Sequence, residues 1–405
     1  MLRKPRGTRD FLPQDMVLRR QAEGLLRKVA LNWGYEEVKT PTFEHLELFT
    51  IKSGEAIVGE IYDFEDKSGR KLALRPELTA PVVRLYLESM SVAPRPLRLF
   101  YFDNCFRYER PQRGRFREFW QFGVELVGSP YPEADAEVIS LAMEMLDALQ
   151  VEGDLHIGHL GVLRSLLTHL DPEVQTKIMR LVDKKDHQGL ERLLGEIDPG
   201  LASNLLSLIE LTGEEAIPGA KRLLGDLPSL DQLGEVLEFL DRVGVEYTVD
   251  FGIARGLDYY TGTVFEIYAS GLGAQNQVCG GGSYRLAKLF GGGDTPSTGF
   301  ALGFDRLMEV CPLEPPEEKM VCVVCFEDTR LEAFRIAREL RRVVPTRVDV
   351  MRRKFKDQLS HASHASYAVI VGSEELERGV VSLKNLETGE QKTLPLEEVI
   401  KILAK

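Results

Sequence analysis

Residues Arg255 to Glu266 read RGLDYYTGTVFE, which sets an arginine, an aspartate and two adjacent tyrosines beside a glycine-punctuated turn. A strand-like run, Thr263 to Tyr268, follows. Packing alone rarely asks for so many polar groups against apolar strand material. A pocket for a small polar ligand does. A second concentration lies at residues 106 to 128, FRYERPQRGRFREFWQFGVELVG, with Arg107, Arg110, Arg113, Arg115 and Arg117. The planar guanidinium fork suits bidentate contact with phosphate. A glycine in the connecting loop lets the backbone approach such a ligand. A solvated hairpin tip would explain the loop arginines, but not Arg107 and Glu109, which fall within the strand pattern.

The elements that must hold these groups can be read from periodicity. Leu99 to Glu109 and Phe119 to Val127 read as strands, and RPQRGR between them makes an antiparallel hairpin. Alternation places Gln121, Gly123 and Glu125 on one face and Phe122, Val124 and Leu126 on the other. Arg107 shares a face with Glu109, so the polar face of the hairpin would floor a pocket. Pro13 to Trp33 shows helical spacing of Leu18, Ala22, Leu25, Leu26, Val29 and Trp33, stopped by Gly34. GYEEVKTPTFEHLELF then reads as extended chain, and Pro41 assigns it to a sheet edge or an interface. Residues from about 165 to 242 look helical, punctuated by prolines, as an insertion between two halves of a sheet-based domain. Strand-like segments return at 246–254 and 299–303, and DRLMEV starts a helix. The segment CPLEPPEEK (311–319) reads as a linker, and strands alternate with helices after it, as in a small α/β domain.

A chain of 405 residues is long enough for two or three domains, and 43% hydrophobic with 28% charged residues is an ordinary soluble balance. No run of 18 apolar residues predicts a membrane span, and MLRKPRGTRDF lacks the apolar stretch of a secretory signal. Five scattered cysteines, an odd number, argue for reduced thiols in the cytoplasm. The net charge of −12 is uneven: residues 319–405 hold 16 Lys/Arg and 13 Asp/Glu, or +3, against −15 elsewhere. A basic tail on an acidic body fits local contact with nucleic-acid phosphates. Cys322-x-x-Cys325 and His361-x-x-His364 have zinc-like spacing, but positions i and i+3 of a strand face opposite sides, so no metal site is expected. The CGGG and FGGG runs lack the GxxxxGK[ST] of a phosphate loop.

RGLDYY closely resembles the histidine-specific signature of histidyl-tRNA synthetases. Residues 106 to 128 resemble motif 2 of class II aminoacyl-tRNA synthetases, in its histidyl form. LRPELTAP (74–81) is similar to the family's Pro-Glu-x-Thr segment, GFALGFDRLMEV (299–310) to motif 3, and Tyr35 to Phe49 to motif 1. The resemblance spans nearly the whole chain, with its motifs in the family's order. It implies an α/β (α+β) fold: an antiparallel-sheet class II catalytic domain over residues 1–315, with the helical insertion, and a small C-terminal α/β anticodon-binding domain at 319–405.

The same resemblance implies roles. Arg107 contacts the α-phosphate of ATP, Glu109 holds the adenosine end, Arg115 reaches the γ-phosphate, Phe119 stacks on adenine, and Arg306 covers adenine and γ-phosphate. Glu77 and Thr79 take the α-amino group of histidine, since an ammonium wants carboxylate and hydroxyl acceptors. Glu125 and Tyr260 pair with the imidazole nitrogens, and Gln121 and Tyr259 complete the pocket. Arg255 stands across the α-phosphate from Arg107, in a place that a metal ion fills in related enzymes, while Mg²⁺ bridges the outer phosphates. Gln112 meets the acceptor end of tRNA(His). Motif 1 implies a homodimer. One stretch departs: the chain has GGGSYRLAKLF (280–290) where the family commonly has GGRYDGL, so Ser283 and Arg285 replace an arginine and an aspartate. The rival reading is the paralogue that serves as regulatory subunit of ATP phosphoribosyltransferase, which usually lacks the anticodon-binding domain. Retention of Arg107, Arg115, Arg255, Arg306 and a basic tail favours the synthetase.

Overall fold

The computed structural model describes residues 2–53, 59–110, 114–254, 259–273, 276–316 and 319–404. The chain divides into two compact units, Met1–Pro315 and Pro316–Lys405.

The first unit opens with α1 (Pro13–Asn32). Pro13 sits in its first turn, where no amide is needed, and Asp15 accepts a hydrogen bond from the Leu12 N–H at 2.8 Å. Next come β1 (Glu36–Glu37), β2 (Phe43–His45), α2 (Glu47–Ser53), β3 (Asp63–Glu65), β4 (Lys71–Leu74) and α3 (Thr79–Leu85). The hairpin strands are β5 (Leu97–Phe106) and β6 (Glu118–Val127), followed by α4 (Pro132–Ala148) and β7 (Asp154–His159). An all-helical run follows: α5 (Leu160–Leu167), α6 (Pro172–Asp183), α7 (His187–Ile197), α8 (Pro199–Ile209), α9 (Ala216–Leu224) and α10 (Pro228–Val243). Asp171, Asp186 and Asp198 cap the N-termini of α6, α7 and α8 by accepting backbone N–H bonds. Strands β8 (Thr248–Val249), β9 (Tyr260–Tyr268) and β10 (Gln277–Tyr284), helix α11 (Leu286–Leu289), strand β11 (Ser297–Gly303) and helix α12 (Phe304–Val310) complete the unit.

Eight strands form one sheet in the order β1-β5-β6-β11-β10-β9-β7-β8. Its pairs are antiparallel except at the two edges, where β1 joins β5 and β8 joins β7 in parallel. Only two residues of the extended segment after Gly34 enter this sheet, as the edge strand β1 that Pro41 foretold. On the back face, Phe122, Val124 and Leu126 are buried beneath α4, which also packs on α1 and α10. The front face carries Gln121 and Glu125.

The expected strand through Glu109 is shorter in the structure. The β5–β6 ladder ends at the pair Phe106 and Glu118. Arg107 N–H still reaches the Arg117 carbonyl (2.9 Å), but Arg117 N–H turns away to the Gly7 carbonyl and Tyr108 N–H to that of Glu60. Competing segments thus take the ladder's bonds, and Arg107 and Glu109 lie on the chain leaving the sheet.

The second unit contains β12 (Val321–Cys325), α13 (Arg330–Leu340), β13 (Thr346–Val348), α14 (Phe355–His361), β14 (Tyr367–Val371), α15 (Ser373–Glu377), β15 (Val380–Asn385), β16 (Gln391–Pro395) and α16 (Leu396–Leu403). Its sheet runs β13-β12-β14-β15-β16, parallel over the first three strands and antiparallel beyond. Val321, Val323, Ile336, Leu340, Val369 and Val399 form its own core. Cys325 belongs to that core, whereas Cys322 packs with Val324 on the opposite face. Among the described residues no helix is long and apolar enough to cross a membrane.

Candidate active site

A cavity of about 170 Å³ opens on the front face of the large sheet. It gathers Glu77, Thr79, Arg107, Glu109, Arg115, Phe119, Gln121, Glu125, Tyr259, Tyr260 and Arg306, residues spread over more than half the chain. Arg255 and Gln112 lie outside the described residues.

One end is polar and buried. Glu125, 1% exposed, accepts from Tyr101 Oη at 3.1 Å on Oε1 and from Tyr284 Oη at 2.5 Å on Oε2. Burial pushes its carboxyl up to about 8, while Tyr284, Thr79 and Tyr101 hold it down by hydrogen bonding and Glu77 adds to the rise. Tyr259 stacks obliquely on Tyr260, with centroids 4.6 Å apart, and meets Tyr284 edge-on at 5.7 Å. The side-chain Oε1 of Gln121 accepts from the buried Cys105 thiol at 3.3 Å. Burial pushes that thiol up, so it stays protonated.

Close approach shapes this end. A Cβ at Gly299 would overlap Glu125 Oε2 and the Val124 carbonyl oxygen, and one at Gly123 would overlap the Tyr101 ring. Gly299→Ala is therefore expected to displace Glu125 and raise the half-saturating concentration of the pocket's ligand at least about tenfold, the effect of some 1.4 kcal/mol. Calorimetric titration checks it.

Thr79 opens α3, and the Glu77 carboxylate accepts from the N–H groups of Thr79 (2.7 Å) and Ala80 (3.1 Å). PELT is thus both a helix start and a wall of the cavity. Its placement depends on Arg75, fully buried, which donates to the carbonyls of Asn104 (2.7 Å), Thr40 (3.0 Å) and Pro41 (3.2 Å) and pairs with Asp103 at 2.6 Å. These bonds satisfy the buried guanidinium and tie the segment before α3 to β5.

The other end is cationic. Arg107 donates to the Pro76 carbonyl at 2.9 Å and lies over the Phe119 ring, 5.1 Å from its centroid. Glu109 sits between Arg115 (3.4 Å) and Arg107 (3.9 Å). Arg306 donates to the carbonyls of Gly114 (3.1 Å) and Gln277 (2.7 Å). Burial first, then Arg115 and Arg107, lowers the Arg306 pKa below the usual guanidinium value. Arg107, Arg115 and Arg306 thus converge on one end of the cavity, with Glu109 between two of them and Glu309 acting on Arg306, an arrangement suited to a polyanion.

Three positions escaped the sequence reading. Tyr101 and Tyr284 clamp Glu125. Asp305, 3% exposed, precedes Arg306 and anchors α12: it pairs with Arg9 (2.6 Å) and Arg19 (2.8 Å) and accepts from Trp120 N–H (2.6 Å). Strand alternation from Glu125 across an assumed register would have found the tyrosines; nothing local marked Asp305.

A family model described as histidyl-tRNA synthetase matches residues 7–307, and one described as anticodon binding domain matches residues 319–405. A histidine–tRNA ligase of Methanosarcina acetivorans is 58% identical over 401 residues, 98% of this chain and 97% of that protein. The apo structure of the histidyl-tRNA synthetase of S. aureus superposes with a TM-score of 0.78 at 30% identity, covering 100% of both chains. A Bacillus halodurans structure titled as an ATP phosphoribosyltransferase regulatory subunit/histidyl-tRNA synthetase gives 0.80 at 28% identity, over 92% of this chain and 99% of that one. With a family model spanning most of the sequence and a relative this similar end to end, the chain belongs to the histidyl-tRNA synthetase family.

Proposed function

We propose that this chain joins L-histidine to the 3′ end of tRNA(His), by way of a histidyl-adenylate made from ATP. The observation that carries the reading is one cavity with a buried carboxylate–tyrosine end and a tri-arginine end. The first suits an imidazole, the second a triphosphate.

Glu77 and Thr79 take the α-ammonium of histidine, and Glu125 and Tyr260 take the imidazole nitrogens, with Gln121 and Tyr259 closing the pocket. The histidine carboxylate then faces the α-phosphorus of ATP. Its attack forms the mixed anhydride as the bond to pyrophosphate breaks. Negative charge builds on the phosphoryl oxygens, so catalysis needs fixed cations rather than a side-chain nucleophile. Arg107 and Arg255 supply them, while Arg115 and Arg306 hold the outer phosphates, Phe119 stacks on adenine and Glu109 holds the adenosine end. A ribose hydroxyl of the terminal adenosine, guided by Gln112, next displaces AMP. Mg²⁺ fits as a partner of the outer phosphates: such ions use one or two carboxylates plus substrate phosphates, and Glu109 lies beside the phosphate-facing arginines. When bound, it would neutralise phosphate charge.

We assign anticodon contact to residues 319–405. Arg330, Arg335, Arg338, Arg341 and Arg342 on and after α13, with Arg352, Arg353, Lys354 and Lys356, give it a basic surface suited to RNA phosphates. Deleting 319–405 is expected to cut aminoacylation by at least about tenfold while ATP–pyrophosphate exchange persists, because this unit has its own core. Loss of both would make the unit structural. We also assign a homodimer built on motif 1 and a cytoplasmic setting, where the five unpaired cysteines stay reduced. Sedimentation of the purified chain tests the dimer. The arginine cluster disfavours the regulatory paralogue, which has no phosphoryl transfer to perform.

A further inference from the structure

Residues 5–12 take no part in the proposed chemistry, yet they cross the arginine hairpin. Thr8 closes a turn on Pro5, its N–H and Oγ1 donating to the Pro5 carbonyl at 3.3 and 2.9 Å. Gly7 in that turn has φ +87°, a left-handed backbone that glycine adopts without strain. Its carbonyl takes the Arg117 N–H at 2.8 Å, the bond that draws the hairpin out of its ladder.

Arg9 follows, and its guanidinium joins two parts of the cavity's cationic end. It lies 3.4 Å from the centre of the Phe116 ring and pairs with Asp305 Oδ1 at 2.6 Å. Phe116 and Asp305 both line the front cavity. Each sits beside an arginine assigned to the outer phosphates, Arg115 and Arg306. On the cavity side the same two parts meet again, because Arg306 Nε donates to the Gly114 carbonyl at 3.1 Å. Arg19, on α1, already pairs with Asp305 Oδ1 at 2.8 Å, so that carboxylate does not depend on Arg9 for its counter-charge. What Arg9 adds is the link to Phe116. Its Nε is buried with no hydrogen-bond partner among the described residues, and the Phe116 ring face is the contact that offsets its desolvation.

We propose that residues 5–12 form a strap that positions the phosphate end of the cavity, with Arg9 as the positioning residue that ties residues 114–117 to α12. The inference rests on the adenylate-forming reading, under which Arg9 touches no substrate but sets how well Arg115 and Arg306 are placed for ATP. The histidine end is clamped from β5, β6 and β10 instead, through Tyr101, Glu125 and Tyr284.

Arg9→Ala in the full chain is expected to raise the KM for ATP in pyrophosphate exchange at least about tenfold, as a small displacement of positioned groups does, while the calorimetric Kd for L-histidine stays within about twofold. Arg9→Lys keeps a cation between Asp305 and the ring and should restore most of the loss. Hydrogen–deuterium exchange over residues 115–120 of the ligand-free protein reads the tether without any activity and should quicken at least about tenfold in Arg9→Ala. Unchanged deuterium uptake, an unchanged KM for ATP, or an equal loss of histidine affinity in the folded variant would overturn the strap. Should the parent chain show no exchange with histidine, the enzymatic reading falls and the deuterium measurement alone decides the strap. Should Arg9→Ala fail to fold, Arg9→Met, which keeps an apolar stem, decides by the same readings.

Discussion

Replacing Glu125 by glutamine is expected to raise the KM for histidine by about 10²-fold while leaving that for ATP nearly unchanged. The carboxyl group is buried and held by Tyr101 and Tyr284, and its oxygens are the acceptors that an imidazole N–H would use. Leaving a buried hydrogen-bonding group without its partner costs about 1–3 kcal/mol, the upper end of which is about 10²-fold, whereas the arginines proposed to hold ATP lie at the other end of the cavity. Equal shifts in both constants would contradict the assignment. The same substitution should stabilise the protein in alkaline solution. Folded Glu125 keeps its proton up to about pH 8, against an ordinary value of 4.5. Folding therefore takes up a proton between these values, and stability falls as pH rises through that window. Glu125→Gln removes the titration, so its melting temperature should exceed that of the parent at pH 9 by a few degrees and by much less at pH 5. The buried carboxyl group of Glu125 is thus held at a cost in stability above its ordinary pKa.

Replacing Arg107 by alanine is expected to slow histidine-dependent pyrophosphate exchange by about 10²–10³-fold, with histidine affinity changed less than about threefold. The guanidinium is fixed by the Pro76 carbonyl and the Phe119 ring, so under the proposed function it would be in place before charge develops on the phosphorus. Arg107→Lys should recover little, because a point charge cannot reproduce the planar fork. Pre-steady-state measurement of adenylate formation separates this from product release. A variant that forms adenylate at the parental rate would remove Arg107 from the chemistry.

Much of the site was legible because strand alternation is strict. The period of two placed Gln121 and Glu125 together on the polar face, and the structure brings both into the cavity. It failed at Arg107 and Glu109 for a reason alternation cannot see: Gly7 and Glu60, distant in sequence, capture the amides that would have continued the ladder. Tyr101 and Tyr284 sit in FYFDN and GGSYR, where they look like ordinary strand residues until the pairing of β5 with β6 and of β10 with β11 is known. The segment 246–254 read as a strand, yet the regular strand is Thr248–Val249, followed by a single bridge from Asp250 to Thr212, and Asp250 then turns the chain by accepting from the Gly252 N–H. In the second unit β16 went unread: QKTLP has a single apolar alternation and ends in proline, which an edge strand tolerates.

The most direct test is histidine-dependent ATP–pyrophosphate exchange by the purified chain, run against the other amino acids. Exchange that requires histidine, and collapses in Arg107→Ala, is the predicted result. Histidine binding with no exchange would contradict it and transfer the chain to the regulatory role, leaving its converging arginines to another anion.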